Sequence, residues 1–161
     1  MISIVLPKRV ERRLKEESER RGASEEEIVI EALLKTLSEP LNPDERVELH
    51  LKLSERYMDE AEEFLRRGEY AQASEKAWEA VSQVVKALAA RRGEGIRSHR
   101  GLHEFVARIS GELKDREIGR LWRSTTSLHQ NFYENWFTES QVVDGVEDVK
   151  KLIEKLKQLV N

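Results

Sequence analysis

The stretch Tyr70–Arg91, YAQASEKAWEAVSQVVKALAAR, decides the fold. Ala71, Ala73, Ala77, Trp78, Ala80, Val81, Val84, Val85, Leu88 and Ala89 cover nearly the whole circumference of a helix rather than one stripe. A helix so apolar, built largely of small side chains, belongs at the centre of a bundle, where its neighbours can approach closely. Gly93 and Gly95 end it. Before it, Asn42 is an N-cap, Pro43 sits at the first helical position and Glu45 completes a capping box, which predicts a helix to about Arg67. After it, Ser98 caps a helix with Leu102, Phe105, Val106 and Ile109 on its apolar side. Two more helices are predicted over about Arg116–Asn135 and about Glu139–Val160, the latter opened by Thr138 and Gln141. From Pro43 onward the chain carries no strand signal, and the expected architecture is an all-helical bundle.

The joint Ser38-Glu39-Pro40-Leu41-Asn42-Pro43 divides the chain into units 1–40 and 41–161. In the first, Ile2, Ile4 and Leu6 alternate with Ser3 and Val5 and stop at Pro7, the pattern of one short strand. A helix follows from about Lys8 to Arg21, closed by Gly22, and a Ser24–Glu27 capping box opens a second. One strand cannot satisfy its own backbone and two short helices bury little, so a strand-helix-helix unit of this size is expected to pair with a second copy. A homodimer is the expected assembly.

With 161 residues and 18.8 kDa the chain is too short for a large multidomain enzyme. Charged residues make up 37%, yet 28 Lys+Arg against 31 Asp+Glu leave a net charge of only -3, which argues against binding a polyanion through bulk charge. The absence of cysteine excludes disulfides, a thiol nucleophile and a thiolate zinc site. No apolar run reaches the length of a membrane span, so a cytoplasmic protein without membrane contact is expected. Phosphate-binding loops, dinucleotide fingerprints, serine-hydrolase elbows and zinc-protease motifs are all missing.

The side chains able to do chemistry near neutrality are His50, His99, His103 and His129. His99 and His103, four apart, have the spacing of a helical metal pair. They are read instead as cap and rim histidines, and no metal or cofactor is expected. The stretch Leu121–Trp136 is the most unusual. On a helical wheel Leu121, Thr125, Leu128, Phe132 and Trp136 share one face, Arg123, Ser127, Gln130 and Glu134 the opposite one, and His129 lies at the edge. Arg123 and His129 stand about 120° apart around one straight helix and about 9 Å along it, so a joint site requires a kink or a second copy. The alternative is structural, with Arg123 paired to Glu134 or a neighbouring helix, His129 donating to a backbone carbonyl, and Asn131 and Asn135 bracing nearby loops. Arg91, Arg92, Arg97, Ser98, His99 and Arg100 form a basic turn that either binds phosphate or neutralises a helix C-terminus.

Tyr70–Trp78, Arg97-Ser98-His99-Arg100 and Leu128–Asn135 together resemble hallmark segments of the archaeal PaREP family. From Pro43 onward the chain is similar to the HEPN superfamily, which implies an up-and-down bundle of about five helices. Active HEPN members are metal-independent ribonucleases with an Arg, four to six residues, then His; Arg123 and His129 match that spacing, with Ser124 where Asn, His or Asp is more typical. The resemblance implies acid–base cleavage of RNA by His129, with Arg123 stabilising phosphorane charge. Arg97, His99, Arg100, Gln130, Asn131 and Tyr133 are then the RNA-binding set, in a toxin or defence module that an unidentified partner protein would control. The first forty residues resemble a ribbon-helix-helix module. Its outward Met1, Ser3 and Val5 offer base edges little, and Glu25-Glu26-Glu27 would repel phosphate, so dimerisation rather than DNA binding is expected of it. The competing reading is a catalytically silent assembly or ligand-binding module, or a DNA-binding regulator.

Overall fold

The computed structural model describes residues 2–161, so the expected outward position of Met1 lies outside the described residues. These residues form seven helices and no strand: α1 (Lys8–Arg21), α2 (Glu25–Leu37), α3 (Pro43–Arg66), α4 (Tyr70–Arg91), α5 (His99–Leu113), α6 (Arg116–Glu134) and α7 (Glu139–Val160). Local chemistry sets their ends. Capping boxes open α2 from Ser24 and Glu27, α3 from Asn42 and Glu45, and α7 from Thr138 and Gln141. Gly22 closes α1 in the left-handed conformation at φ 61°.

α4 is the axis of the molecule, in contact with α3, α5, α6 and α7. Ala73, Ala77, Ala80, Val81, Val84, Val85 and Ala87 are fully buried along it, so the nearly all-round apolar helix has found the surroundings it needs. Leu102 and Ile109 of α5, Leu121 and Leu128 of α6, and Val142, Val146, Val149 and Leu152 of α7 close the core around it. Where α7 crosses α6, a Cβ at Gly145 would stand 2.6 Å from Leu128 Cδ2, so glycine permits that approach.

The expected strand over Ile2–Leu6 is absent. The segment has no regular structure, and Ile2, Ile4 and Val5 stand 88%, 57% and 96% exposed, because one chain supplies no second strand to pair with. The count of about five helices is also exceeded, because α1 and α2 lie against the remaining five instead of apart from them. Ser24 Oγ meets Tyr57 Oη of α3 at 2.7 Å. Lys86, in the last two turns of α4, donates to Gly22 O at 2.8 Å and to both carboxylate oxygens of Glu27, at 2.8 and 3.0 Å. Lys86 and Glu27 are 6% and 12% exposed as side chains, so this is a buried ion pair. No described helix is long and apolar enough to cross a membrane.

Candidate functional site

The last two turns of α6 carry His129 over the N-terminal half of α4. Its Nδ1 lies 2.8 Å from Glu75 Oε2 of α4, and its Nε2 lies 3.3 Å from Glu19 Oε1 of α1. The ring sits 5.4 Å from Trp78 and is met edge-on by Tyr133. Tyr133 Oη donates to Glu19 Oε2 at 2.6 Å, so the residue that closes over the imidazole also orients the carboxylate facing it.

His99 enters the same place from the first turn of α5, positioned by the Ser98 cap, whose Oγ accepts from Gly101 N at 3.0 Å. Its ring stacks on His129 at 5.0 Å and on Trp78 at 6.4 Å. The α1 side is brought in by backbone contact. A Cβ at Gly22 would stand 2.9 Å from His99 N and 3.0 Å from Ser98 C, so the end of α1 rests directly on the start of α5. His99 Nε2 lies 3.6 Å from Glu19 Oε1, is buried, and has no hydrogen-bond partner.

The cavity beside these groups has a volume of about 20 Å³ and is lined by Glu19, Glu27, Glu75, Glu79, Trp78, Lys86, His99 and His129 among others. That is room for one water-sized body and not for a nucleotide. Four carboxyl groups against one lysine also make it a poor seat for phosphate. Burial disfavours the charged imidazole of His129, but the hydrogen bonds and charges of Glu75 and Glu19 outweigh it, and its pKa is raised. Burial lowers that of His99. Burial, with repulsion from Glu75 and Glu27, pushes the Glu79 carboxyl up to about 7 against the attraction of Lys76.

The remaining residues singled out in the sequence do not converge here. Arg123 is exposed, its guanidinium lying over Gly119 beside Ser110 of α5, whereas His129 faces α4 and α1. Gln130 and Arg97 are exposed, and Arg100 is exposed and paired with Glu104 at 2.7 Å. The rest of the basic turn is neutralised, Arg91 by Asp44 and Arg92 by Glu112. His103 accepts from Trp122 Nε1 at 2.9 Å through Nδ1, so it does not pair with His99. Trp136 lies beyond the helix, because α6 stops at Glu134 with Asn135 at φ 51°.

Asn131 is 1% exposed and leaves RNA no face to touch. Its Oδ1 accepts from Trp136 N and Phe137 N at 3.0 and 2.8 Å, and its Nδ2 donates to Ser74 Oγ at 3.0 Å. It therefore fastens the turn after α6 onto α4. Asn131→Ala strands both amides and is expected to cost about 2 kcal/mol in urea unfolding at pH 7. A loss below about 0.5 kcal/mol would show that water replaces the amide without penalty.

Glu19 and Glu75 carry no signal of their own in the sequence. Both sit in acid-rich helical runs, where a carboxylate reads as a solvated partner for Lys or Arg. Glu19 is 110 residues from His129 along the chain, and only the packing of α1 brings them together.

No curated protein matches the chain. The crystal structure of a protein from Sulfolobus solfataricus is similar at 29% identity and a TM-score of 0.61, covering 68% of this chain and 97% of that one. The model of the archaeal PaREP1/PaREP8 family matches residues 49–153, which hold both His99 and His129 but not Glu19. The match spans more than half of the sequence, and the chain belongs to the archaeal PaREP1/PaREP8 family.

Proposed function

We propose that this protein is a HEPN-like binding and assembly module rather than a ribonuclease. One observation carries the reading: the His129 imidazole is held between Glu75 and Glu19 beside a cavity with room for one water, while Arg123 lies on another face of α6. RNA cleavage by acid–base chemistry needs the imidazole nitrogen within reach of a ribose hydroxyl or leaving oxygen, with a cation on the phosphate. Here two carboxylates meet the imidazole. The assembly half of the proposal is a homodimer in which residues 2–6 of two copies pair, covering the exposed Ile2 and Ile4.

A second reading keeps catalysis. Glu75 fixes Nδ1 of His129 and so orients the ring, as an acid–base imidazole requires, and a partner copy would deliver Arg123. One experiment separates the two. Labelled structured and unstructured RNAs are incubated with purified wild type and His129→Ala in EDTA, after both are shown to be folded and weighed by light scattering. The binding-module reading expects no cleavage by either and a mass of two chains. Cleavage by wild type that the variant loses overturns it in favour of the nuclease, and a monomeric mass overturns the assembly half.

A further inference from the structure

We infer that Glu19, His99 and His129 bind a zinc-class divalent transition-metal ion, with Glu19 Oε1 and the Nε2 atoms of both histidines as ligands. This deepens the binding-module reading and rests on it, since it gives His129 a ligand-holding role at the same site.

Spacing is the first support. One ligand atom from each residue lies within 4.8 Å of the other two, with Glu19 Oε1 at 3.3 Å from His129 Nε2 and 3.6 Å from His99 Nε2. Ligands about 2.0–2.1 Å from a tetrahedral ion stand about 3.3 Å from one another. The two measured separations already approximate that spacing, and the remaining difference is of a size that side-chain rotation covers.

His99 Nε2 supplies an independent observation. It is a buried polar atom aimed at Glu19 and His129 that makes no hydrogen bond, in a molecule that otherwise satisfies nearly all such atoms. An ion placed between the three groups would give that nitrogen its partner and replace the like-with-like approach of two imidazoles by shared coordination.

The surroundings are those of a supported ligand set. His129 turns Nδ1 to Glu75 at 2.8 Å, the carboxylate–histidine arrangement that fixes a ring with Nε2 toward a metal. Tyr133 holds the second oxygen of Glu19 at 2.6 Å, leaving Oε1 for the ion. Trp78 forms an apolar floor under both rings. Two imidazoles and one carboxylate suit zinc and its neighbours and not calcium or magnesium, which take oxygen ligands. Glu19 is half exposed, so water can reach a fourth position.

The test titrates full-length protein, stripped with EDTA and desalted, with Co2+ as a spectroscopic probe and Zn2+ as competitor. The expected result is one Co2+ per chain with the intense visible bands of a four-coordinate site, bleached by one equivalent of Zn2+. Affinity should fall at least tenfold in His99→Ala and in Glu19→Gln, whose amide keeps an oxygen for Tyr133, and several-fold in Glu75→Gln. His103→Ala is the control for adventitious histidine binding and should bind as wild type does. Each variant is first shown to melt as one folded species. Absence of stoichiometric binding, or equal losses in His99→Ala and His103→Ala, overturns the inference. Protein that neither cleaves RNA nor binds Co2+ overturns the metal site alone, whereas cleavage lost in His129→Ala overturns the reading beneath it.

Discussion

Replacing Lys86 by methionine is expected to cost about 3–5 kcal/mol of folding stability. The side chain is 6% exposed, and its ammonium donates to Gly22 O and to both oxygens of Glu27. Methionine fills much the same volume but leaves the Glu27 carboxylate, itself 12% exposed, without a cation. Most of the cost arises from that stranded charge rather than from a lost attraction. The double variant Lys86→Met, Glu27→Gln should therefore recover more than half of it, because glutamine at this position still serves the Ser24 capping box and carries no charge. Urea unfolding of the wild type, both single variants and the double variant closes the cycle. Equal losses in Lys86→Met and the double variant would show that the lysine acts through its hydrogen bond to Gly22. Hydrogen exchange adds the location, since amides of α1 and α2 should lose protection in Lys86→Met before those of α4 do.

Raising the pH from 5 to 8 should open a stability gap of about 3 kcal/mol between Glu79→Gln and wild type, with the variant the more stable at pH 8. The Glu79 carboxyl, 19% exposed, is pushed up to about 7 by burial and by Glu75 and Glu27, from an ordinary value of 4.5. Between these two values the folded chain holds a proton that the unfolded chain has released, so wild-type stability falls as pH rises. At about 1.4 kcal/mol for each pH unit, the part of that window above pH 5, up to about 7, accounts for the gap. The glutamine amide cannot ionise and escapes the loss. Other titrating groups, including His50 and His99 with their lowered pKa values, enter both proteins alike and cancel in the difference. A gap that does not change with pH would show that the Lys76 ammonium, 3.1 Å from Glu79 Oε2, offsets the cost of burial in full.

Local chemistry made most helix ends legible. Asn42, Pro43 and Glu45, Ser24 and Glu27, and Thr138 and Gln141 each specify a helix start within four residues, and the structure realises all three. The apolar circumference of α4 marked the centre of the bundle for the same reason, since burial on every side requires neighbours on every side. What stayed hidden depends on packing between distant segments. Lys86 sits in an apolar run and gives no local sign of a carboxylate from α2. His99 and His129 were each visible, but their stacking and their shared approach to Glu19 follow from how α1, α5 and α6 meet over Trp78. The angular separation of Arg123 and His129 was readable on a helical wheel, and the two side chains do face different neighbours. The alternation from Ile2 to Leu6 was readable too, but a strand needs a second strand to pair with, and the described residues supply none.

The contact of Gly22 with Ser98 and His99 works as a hard stop. Where helices meet through side chains, their separation can drift as rotamers change; here two main chains touch with no side chain between them, and the gap is the thickness of peptide groups. α1 can come no closer to α5 than this stop allows. The distance from Glu19 to the two imidazoles is thereby gauged by a residue that carries no functional group at all. A single methyl at position 22 would act as a shim, strained by the left-handed backbone beneath it and lifting Glu19 away from both histidines while leaving all three side chains intact.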